Sequence, residues 1–464
     1  MAYAEFSVPS YVREYIRQRG YTIDTTMDAY ISRWFHWYTG DDGFYDVEYV
    51  SDGRRHTRKR YSLHPARRVA REWASMLLNE DTEVSVETPM ANEWLDDYLE
   101  ATGFWPSGQG MVEKAFALGT AAWALWFDVR DDDSDTTIKL RCYDARMVVP
   151  LSWDTDGIRE CAFVTQTRNH GEKAEQLQMH YVGESGTYVI ETVTFVDGKE
   201  VYDPSIIKVF DTQCETPTFG IVRPGIENVA VDLSPYGMSV FADAIDSIKA
   251  VDLCFDAIFQ EVDLTEVMVF MDEAMIDVRD VNGKSVPVPR GSRNRVFRKL
   301  FSQSASDMYE VFSPQIRTDA QKVAFDVALA ELGDQCGFGQ QYFVLDKSGG
   351  LKTATEVNAD NASLMRNIHK HENVLRVAIQ QVVTALLTCA RIHCAAPIEE
   401  DFGNVSVKFA DSIVTDTSAD KALMMNEIAA GLIPKWMYAV EFYGMSEDEA
   451  KAMLPQELSD VEGF

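Results

Sequence analysis

Apolar residues recur at helical spacing along the chain's longest unbroken stretch, from Lys352 to about His393. Val357, Leu364, Ile368, Leu375, Ile379, Val382, Leu386 and Ala390 form one stripe, interrupted where Asn361 and His371 or Glu372 fall on it. At about 1.5 Å per residue this predicts a rod of roughly 60 Å. Its entry, KSGGLKTATEV, turns at Gly349 and Gly350 and then sets Thr353 and Glu356 three apart as a capping box. A rod spanning several layers and an ordinary core helix of a large domain both fit the pattern.

A second long helix is predicted within DLSPYGMSVFADAIDSIKAVDLCFDAIFQEV, residues 232–262. Ser234 and Pro235 read as N-cap and first turn, and Phe241, Ile248, Phe255 and Val262 repeat every seven. Ile245 and Phe259 stand four beyond their partners, Asp252 interrupts the flank of this seam, and Asp243, Asp246, Asp256, Glu261 and Asp263 surround it with a single Lys249. By itself such a charge run reads as a solvated face.

The other elements follow in order. Helices are expected over 9–19 and 24–38, stopped by Gly20 and Gly40, then a hairpin of DVEYV with RKRYSL joined through SDGRRH. A helix starting near Pro65 carries Val69, Trp73, Met76 and Leu77 on one face, another covers Asn92 to Thr102, and MVEKAFALG runs to Gly119 before a buried strand. From Lys139 to Tyr202 alternating strands with turns at GESG and Asp197-Gly198 predict a mixed sheet with long hairpins. A small α/β or hairpin unit with an Asn282-Gly283 turn, a helix over TDAQKVAFDVALAELGDQCG, a strand in NVSVKFADSIVTD and two closing helices complete the reading.

Composition narrows the function. With 464 residues the chain has room for two to four folded units, and 74 acidic against 43 basic residues give a net charge of −31. That balance is opposite to a protein gripping phosphates over its whole surface. The most basic stretch, Arg54 to Arg71, fits either a solvated face balancing nearby acids or a contact surface, and so does the cluster Arg290, Arg293, Arg295, Arg298 and Lys299. Seven scattered cysteines without a CxxC pair point away from zinc and disulfide frameworks. The N-terminal residues resemble no signal peptide, and no apolar run is long enough to predict a spanning helix.

Catalytic motifs are missing. HExxH, GxSxG and GxGxxG do not occur, and Gly283-Lys284-Ser285 lacks the first glycine of a phosphate loop, its place taken by Val278. DDDSD at 131–135 has neither the glycine nor the trailing glutamate of a calcium loop and reads as an acidic hairpin tip. His369 and His371, two apart on a helix, point to different faces. No cofactor or metal is expected. The reading from a different class is a soluble acidic hydrolase or transferase working through paired carboxylates.

Three stretches carry a resemblance: LSPYGMSVFADAIDSIKAVD, GGLKTATEVNADNASLMRNIHKHENVLRVAIQQVV, and VKFADSIVTD followed by EIAAGLIPKWMYAVEFYGMSEDEAKAML. In order and spacing they resemble the portal, or head-to-tail connector, proteins of tailed bacteriophages, of the type common among siphophages of Gram-positive hosts. The resemblance implies an α+β portal fold with long stem and wing helices, a mixed wing sheet and a small α/β clip, assembled as a ring of twelve around double-stranded DNA. It makes 1–232 and part of 337–400 the wing, 233–266 and 318–336 the stem helices, 267–317 the clip, 346–357 the tunnel loop within 337–400, and 401–464 the crown. Asp243, Asp246, Asp252 and Asp256 are then expected to line the channel, Lys347 and Lys352 to touch DNA from the loop, and the Arg290 to Lys299 cluster to meet a partner at the clip. The partners implied are DNA, the major capsid protein, terminase and head-tail adaptors, with no membrane. The location implied is the portal vertex of the virion, after assembly in the host cytoplasm, and the implied role is non-enzymatic.

Overall fold

In the computed structural model, the structure describes residues 6–51, 54–79, 81–129, 136–169, 172–202, 206–264, 268–272, 278–281, 284–287, 296–299, 309–312, 318–345 and 354–409, with 433–443 and isolated positions near them further on. The chain divides into two compact units, Met1–Gly350 with Asp360–Ala410, and Leu351–Ala359 with Asp411–Phe464.

The first unit opens with helices α1 (Ser10–Gln18) and α2 (Asp28–Thr39), the second ended by Gly40 in the left-handed region (φ 75°) as expected. Strands β1 (Asp46–Ser51) and β2 (Arg54–Lys59) pair antiparallel, Asp46 opposite Lys59. Helix α3 (Pro65–Leu77) buries Val69, Trp73 and Leu77, and strand β3 (Glu83–Val86) leads to helices α4 (Pro89–Ala101) and α5 (Phe104–Leu118). Gly119 (φ 84°) then turns the chain into β4 (Ala121–Val129).

Strands β5 (Thr136–Asp144), β6 (Val148–Asp154), β7 (Gly157–Asn169), β8 (Glu172–Val182), β9 (Tyr188–Val196), β10 (Lys199–Val201), β11 (Val209–Asp211) and β12 (Phe219–Val222) complete two sheets. One has the order β10-β9-β8-β7-β6 with β11 on β9, and the other the order β12-β4-β5. The expected mixed sheet is antiparallel in every pairing, because its connections are short turns and a parallel crossover needs a dozen or more residues. Asp197 (φ 49°) and Gly198 (φ 77°) form one of those turns.

Alternation along β7 explains the layering. Ala162 and Val164 face Val8, Val12 and Ile16 at α1, while Cys161 and Phe163 meet Ala122, Ala124 and Phe219 of the smaller sheet. Each face of the large sheet is therefore covered.

Helix α6 (Ile245–Leu264) begins eleven residues after its expected N-cap. Residues 234–244 are irregular chain instead, buried from Pro235 to Phe241. The Ser234 hydroxyl accepts from the Tyr236 amide at 3.3 Å in a local turn, and the Val240 amide bonds Phe116 O of α5 at 3.0 Å. Gly237 is the reason: a Cβ there would lie 2.4 Å from Gly119 O, so this segment follows α5 rather than a helical path.

Beyond α6, β13 (Met268–Asp272) pairs parallel with β16 (Val296–Lys299) and antiparallel with β17 (Tyr309–Phe312). The hairpin β14 (Val278–Val281) and β15 (Lys284–Pro287) leaves the expected two residues between strands, the turn itself lying outside the described residues. Helix α7 (Thr318–Gln335) packs beside α6, the Gln321 side chain bonding Glu261. Helix α8 (Ala354–His393) is the long rod, and β18 (Val405–Lys408) returns to pair with β3. The expected boundary at 401 thus falls before a strand of the first unit. In the second unit, helix α9 (Trp436–Tyr443) sets the Trp436 ring 4.7 Å under Lys451.

By length and composition, Ala362–His393 is apolar enough to cross a membrane. Its apolar face lies inside the protein, Leu375 at 1% and Ile379, Val382, Val383 and Leu386 at 0% exposure, as in a core helix. At Gly220 of β12 the rod comes so close that a Cβ would stand 2.4 Å from Ala378 O. Gly220→Ala is expected to lower stability by about 1–3 kcal/mol through overpacking. Gly110→Ala on α5, with nothing within 4 Å of the new Cβ, should gain up to about 1 kcal/mol from helix propensity. Thermal unfolding separates them, and equal midpoints would contradict this packing.

Candidate functional site

Asp252 and Asp256 stand four apart and so share one face of α6. That face meets the foot of the β1–β2 hairpin. Asp252, 0% exposed, accepts from Ser62 Oγ at 2.7 Å, the Leu63 amide at 2.8 Å and Tyr45 OH at 2.9 Å. Burial raises its carboxyl above the ordinary range, and these donors only partly oppose that.

Asp256, 3% exposed, takes a two-pronged bond from Arg58, both contacts 2.7 Å, and a third from the Tyr61 amide at 3.1 Å. Burial would raise this carboxyl too, but Arg58, the Tyr61 amide and Arg60 together hold it below the usual range. Both acids therefore correct the channel-lining expectation: they are internal struts, buried against their own hairpin. The clue in the sequence was Asp252 on the flank of an apolar seam, where an acid that is not solvated needs a partner.

Asp243 and Asp246 differ. They sit exposed at the head of α6, and the Asp246 side chain is 94% exposed with Lys249 Nζ at 2.9 Å. That ammonium lowers the Asp246 carboxyl.

Much of the basic stretch after Arg54 balances acids and carbonyls of its own chain. Lys59 reaches Asp46 at 3.0 Å, Arg60 bonds Phe44 O at 2.8 Å, Arg67 bonds Tyr38 O at 3.2 Å, and Arg71 lies 3.7 Å from Glu113. Arg54 and Arg55 remain exposed.

Lys347 and Lys352 lie outside the described residues, as do Thr353, Arg290, Arg293, Arg295 and the DDDSD segment. Arg298 and Lys299 are on β16, opposite Met271 and Asp272.

His371, singled out as a break in the stripe of α8, is 5% exposed inside an aromatic collar. Trp73 of α3 and Phe116 of α5 pack edge-on to it at 4.7 and 4.9 Å, and its Nδ1 accepts the Gly225 amide at 2.9 Å. Burial drives its pKa down to about 3, so it stays neutral. The His369 side chain is 59% exposed on another face, as its spacing predicts.

Among the described residues no group of three potential metal ligands comes together. A cavity of about 300 Å³ contains Asp24 and Asp28, each committed: Asp28 to Arg13 at 2.7 Å, Asp24 to the Thr26 amide at 2.8 Å.

These features define the class: an α+β protein of long helices set against antiparallel sheets. The family model described as "Phage portal protein, SPP1 Gp6-like" matches residues 22–460, and the chain belongs to that family. Its role is that of a phage portal or connector, and the family is a structural one. No curated protein matches the chain by sequence. Among solved structures it is similar to a chain in the neck of a native gene transfer agent particle, computed with C12 symmetry, and to a chain in the virion of such a particle. Each likeness has 10% identity and a TM-score of 0.40, covering 81% of this chain and 89% of the other. At that distance neither bears on function.

The struts give a signed prediction. Asp256, held low in the fold, contributes stability that is fully present above the unfolded carboxylate value of about 3.9 and is lost as pH falls through the lower folded value. Asp252, held high, has the opposite sign: its charge costs stability above its folded value, and protonation relieves it. Asp256→Asn should cost about 2 kcal/mol at pH 7 by leaving Arg58 half-paired. That deficit should shrink as pH falls below the unfolded carboxylate value. Asp246→Asn, at an exposed and solvent-screened pair, should cost far less. Thermal unfolding from pH 3 to 7 tests this, and equal losses for the two variants would refute the strut.

Proposed function

We propose that copies of this chain close into a ring of twelve whose axial channel passes double-stranded DNA during packaging, holds it, and releases it at ejection. The observation that carries this reading is the exposed apolar surface of the paired helices α6 and α7. Leu253 is 50% and Phe259 44% exposed on α6, and Val323 is 63% and Val327 57% exposed on α7. Leu253 and Phe259, six residues apart, lie about 120° from each other around the helix. Val323 and Val327 share a face of the neighbouring helix. Apolar side chains on separate flanks suit a helix pair wedged between two neighbours, the head-to-tail arrangement a ring requires. Each, once covered, adds about 1 kcal/mol.

In this reading 1–232 with part of 337–400 is the wing, α6 and α7 the stem, 267–317 the clip, and the chain after β18 a short crown. Asp243 and Asp246 remain as candidates for the bore, where negative charge keeps DNA from binding by counterion release. Lys347 and Lys352 are the transient phosphate contacts of the tunnel loop. Arg290, Arg293, Arg295, Arg298 and Lys299 meet terminase or adaptor proteins at the clip, the wing meets the capsid protein, and the ring sits at the portal vertex of the virion after assembly in the host cytoplasm.

Negative-stain images or native mass of the purified chain should give rings of about a dozen subunits. Leu253→Asp with Val327→Asp should abolish them while leaving the helical circular dichroism intact. A wild-type chain that stays monomeric to tetrameric would refute the ring. Separately, Lys347→Glu with Lys352→Glu should impair packaging or retention in intact rings, and unchanged packaging would remove the loop role.

A further inference from the structure

The β1–β2 ribbon has a foot and a tip of different character. At the foot, Arg58 is forked onto Asp256 and Lys59 reaches Asp46, fixing the ribbon to α6 and to itself. At the tip, Arg54, Arg55 and His56 are exposed, as are Tyr49 at 47% and Val50 at 70%. Tyr49 stacks on His56 at 5.4 Å and 24°, stiffening one side. A two-stranded ribbon alone is marginally stable in water. Among the described residues this one is anchored at its foot, and neither Arg54 nor Arg55 has an ion-pair partner there.

The complement is present on the same chain, elsewhere. Helix α4 exposes Glu93, Asp96, Asp97 and Glu100, and beside them Trp94 and Tyr98 stack at 5.2 Å and 19°. Asn92 gives Asp96 one hydrogen bond at 2.9 Å, but no cation pairs with these four acids among the described residues. Partial burial, and then the neighbouring Asp97 and Glu83, push the Asp96 carboxyl up. With a net charge of −31, basic groups are scarce on the chain, which makes a projecting, unpaired pair of arginines a selective partner for such a face.

We propose that the hairpin is an inter-subunit arm: its tip seats on α4 of a second copy of this chain, Arg54 and Arg55 against Asp96, Asp97 and Glu100, with Tyr49 and Val50 over the Trp94–Tyr98 pair. Because arm and socket are different patches, the contact propagates head to tail and can close a ring. This rests on the ring reading above and adds to the stem contacts a second grip, which salt should weaken.

The test uses the full chain. Arg54→Glu with Arg55→Glu should weaken each subunit contact about tenfold at moderate salt, roughly 1.4 kcal/mol per contact, and so deplete the rings. Adding Asp96→Lys and Asp97→Lys to that variant should restore rings. Val50→Cys with Glu93→Cys should give a ladder of disulfide-linked multimers that neither single variant gives. Wild-type rings with unaltered Arg54→Glu/Arg55→Glu assembly and no ladder would overturn the arm while leaving the ring reading standing. Intact variant rings that lose only DNA would overturn it in favour of a nucleic-acid contact. A wild-type chain that forms no ring would remove both.

Discussion

The structure depends on how closely the long helix α8 can approach the strands beneath it. At Gly220 a backbone carbonyl of the helix occupies the space of a Cβ, and Gly225 is nearly as tight, with Lys370 O 2.9 Å from where its Cβ would be. Such approach leaves no room for a side chain on the strand side. It also brings His371 within reach of the Gly225 amide, so a polar residue on an apolar stripe is satisfied rather than stranded. Around it Trp73, Phe116 and Phe338 gather α3, α5 and the turn after α7 at one point, and Trp73 adds a hydrogen bond to Cys336 O at 3.1 Å. Four segments far apart in sequence are thereby fixed against one rod.

A second constraint governs the charge. In so acidic a chain, two of the buried acids share one face of a single helix. Asp252 and Asp256 convert one face of α6 into a receptor for backbone amides, hydroxyls and an arginine, whereas Asp246 on the same helix and Asp243 just before it are exposed. Four aspartates within fourteen residues are thus divided between architecture and surface.

Local rules made much of the fold legible. Pro65 with Val69, Trp73 and Leu77 marked α3, Gly40 and Gly119 marked ends, and alternation marked β5 to β10. What was hidden depends on residues distant in sequence. The late start of α6 follows from Gly237 pressing on Gly119, which outweighs the Ser-Pro signal. Strand β3 alternates clearly, as EVSV, but is too short to stand out until its partner β18 arrives more than three hundred residues later. The site was legible in kind and only half in detail: the aspartate cluster on α6 was visible, yet the fate of Asp252 and Asp256 turned on a hairpin almost two hundred residues away.

The fork between Arg58 and Asp256 has a mechanical consequence. It bolts the ribbon to the helix at one rigid, two-point joint, so the two swing together. From Arg58 to Arg54 the strand extends about 13 Å at roughly 3.3 Å per residue, and at that radius a 5° tilt of α6 displaces the far end by about 1 Å. The ribbon is therefore a pointer on the helix, magnifying small rotations of α6 into ångström-scale travel at the molecular edge.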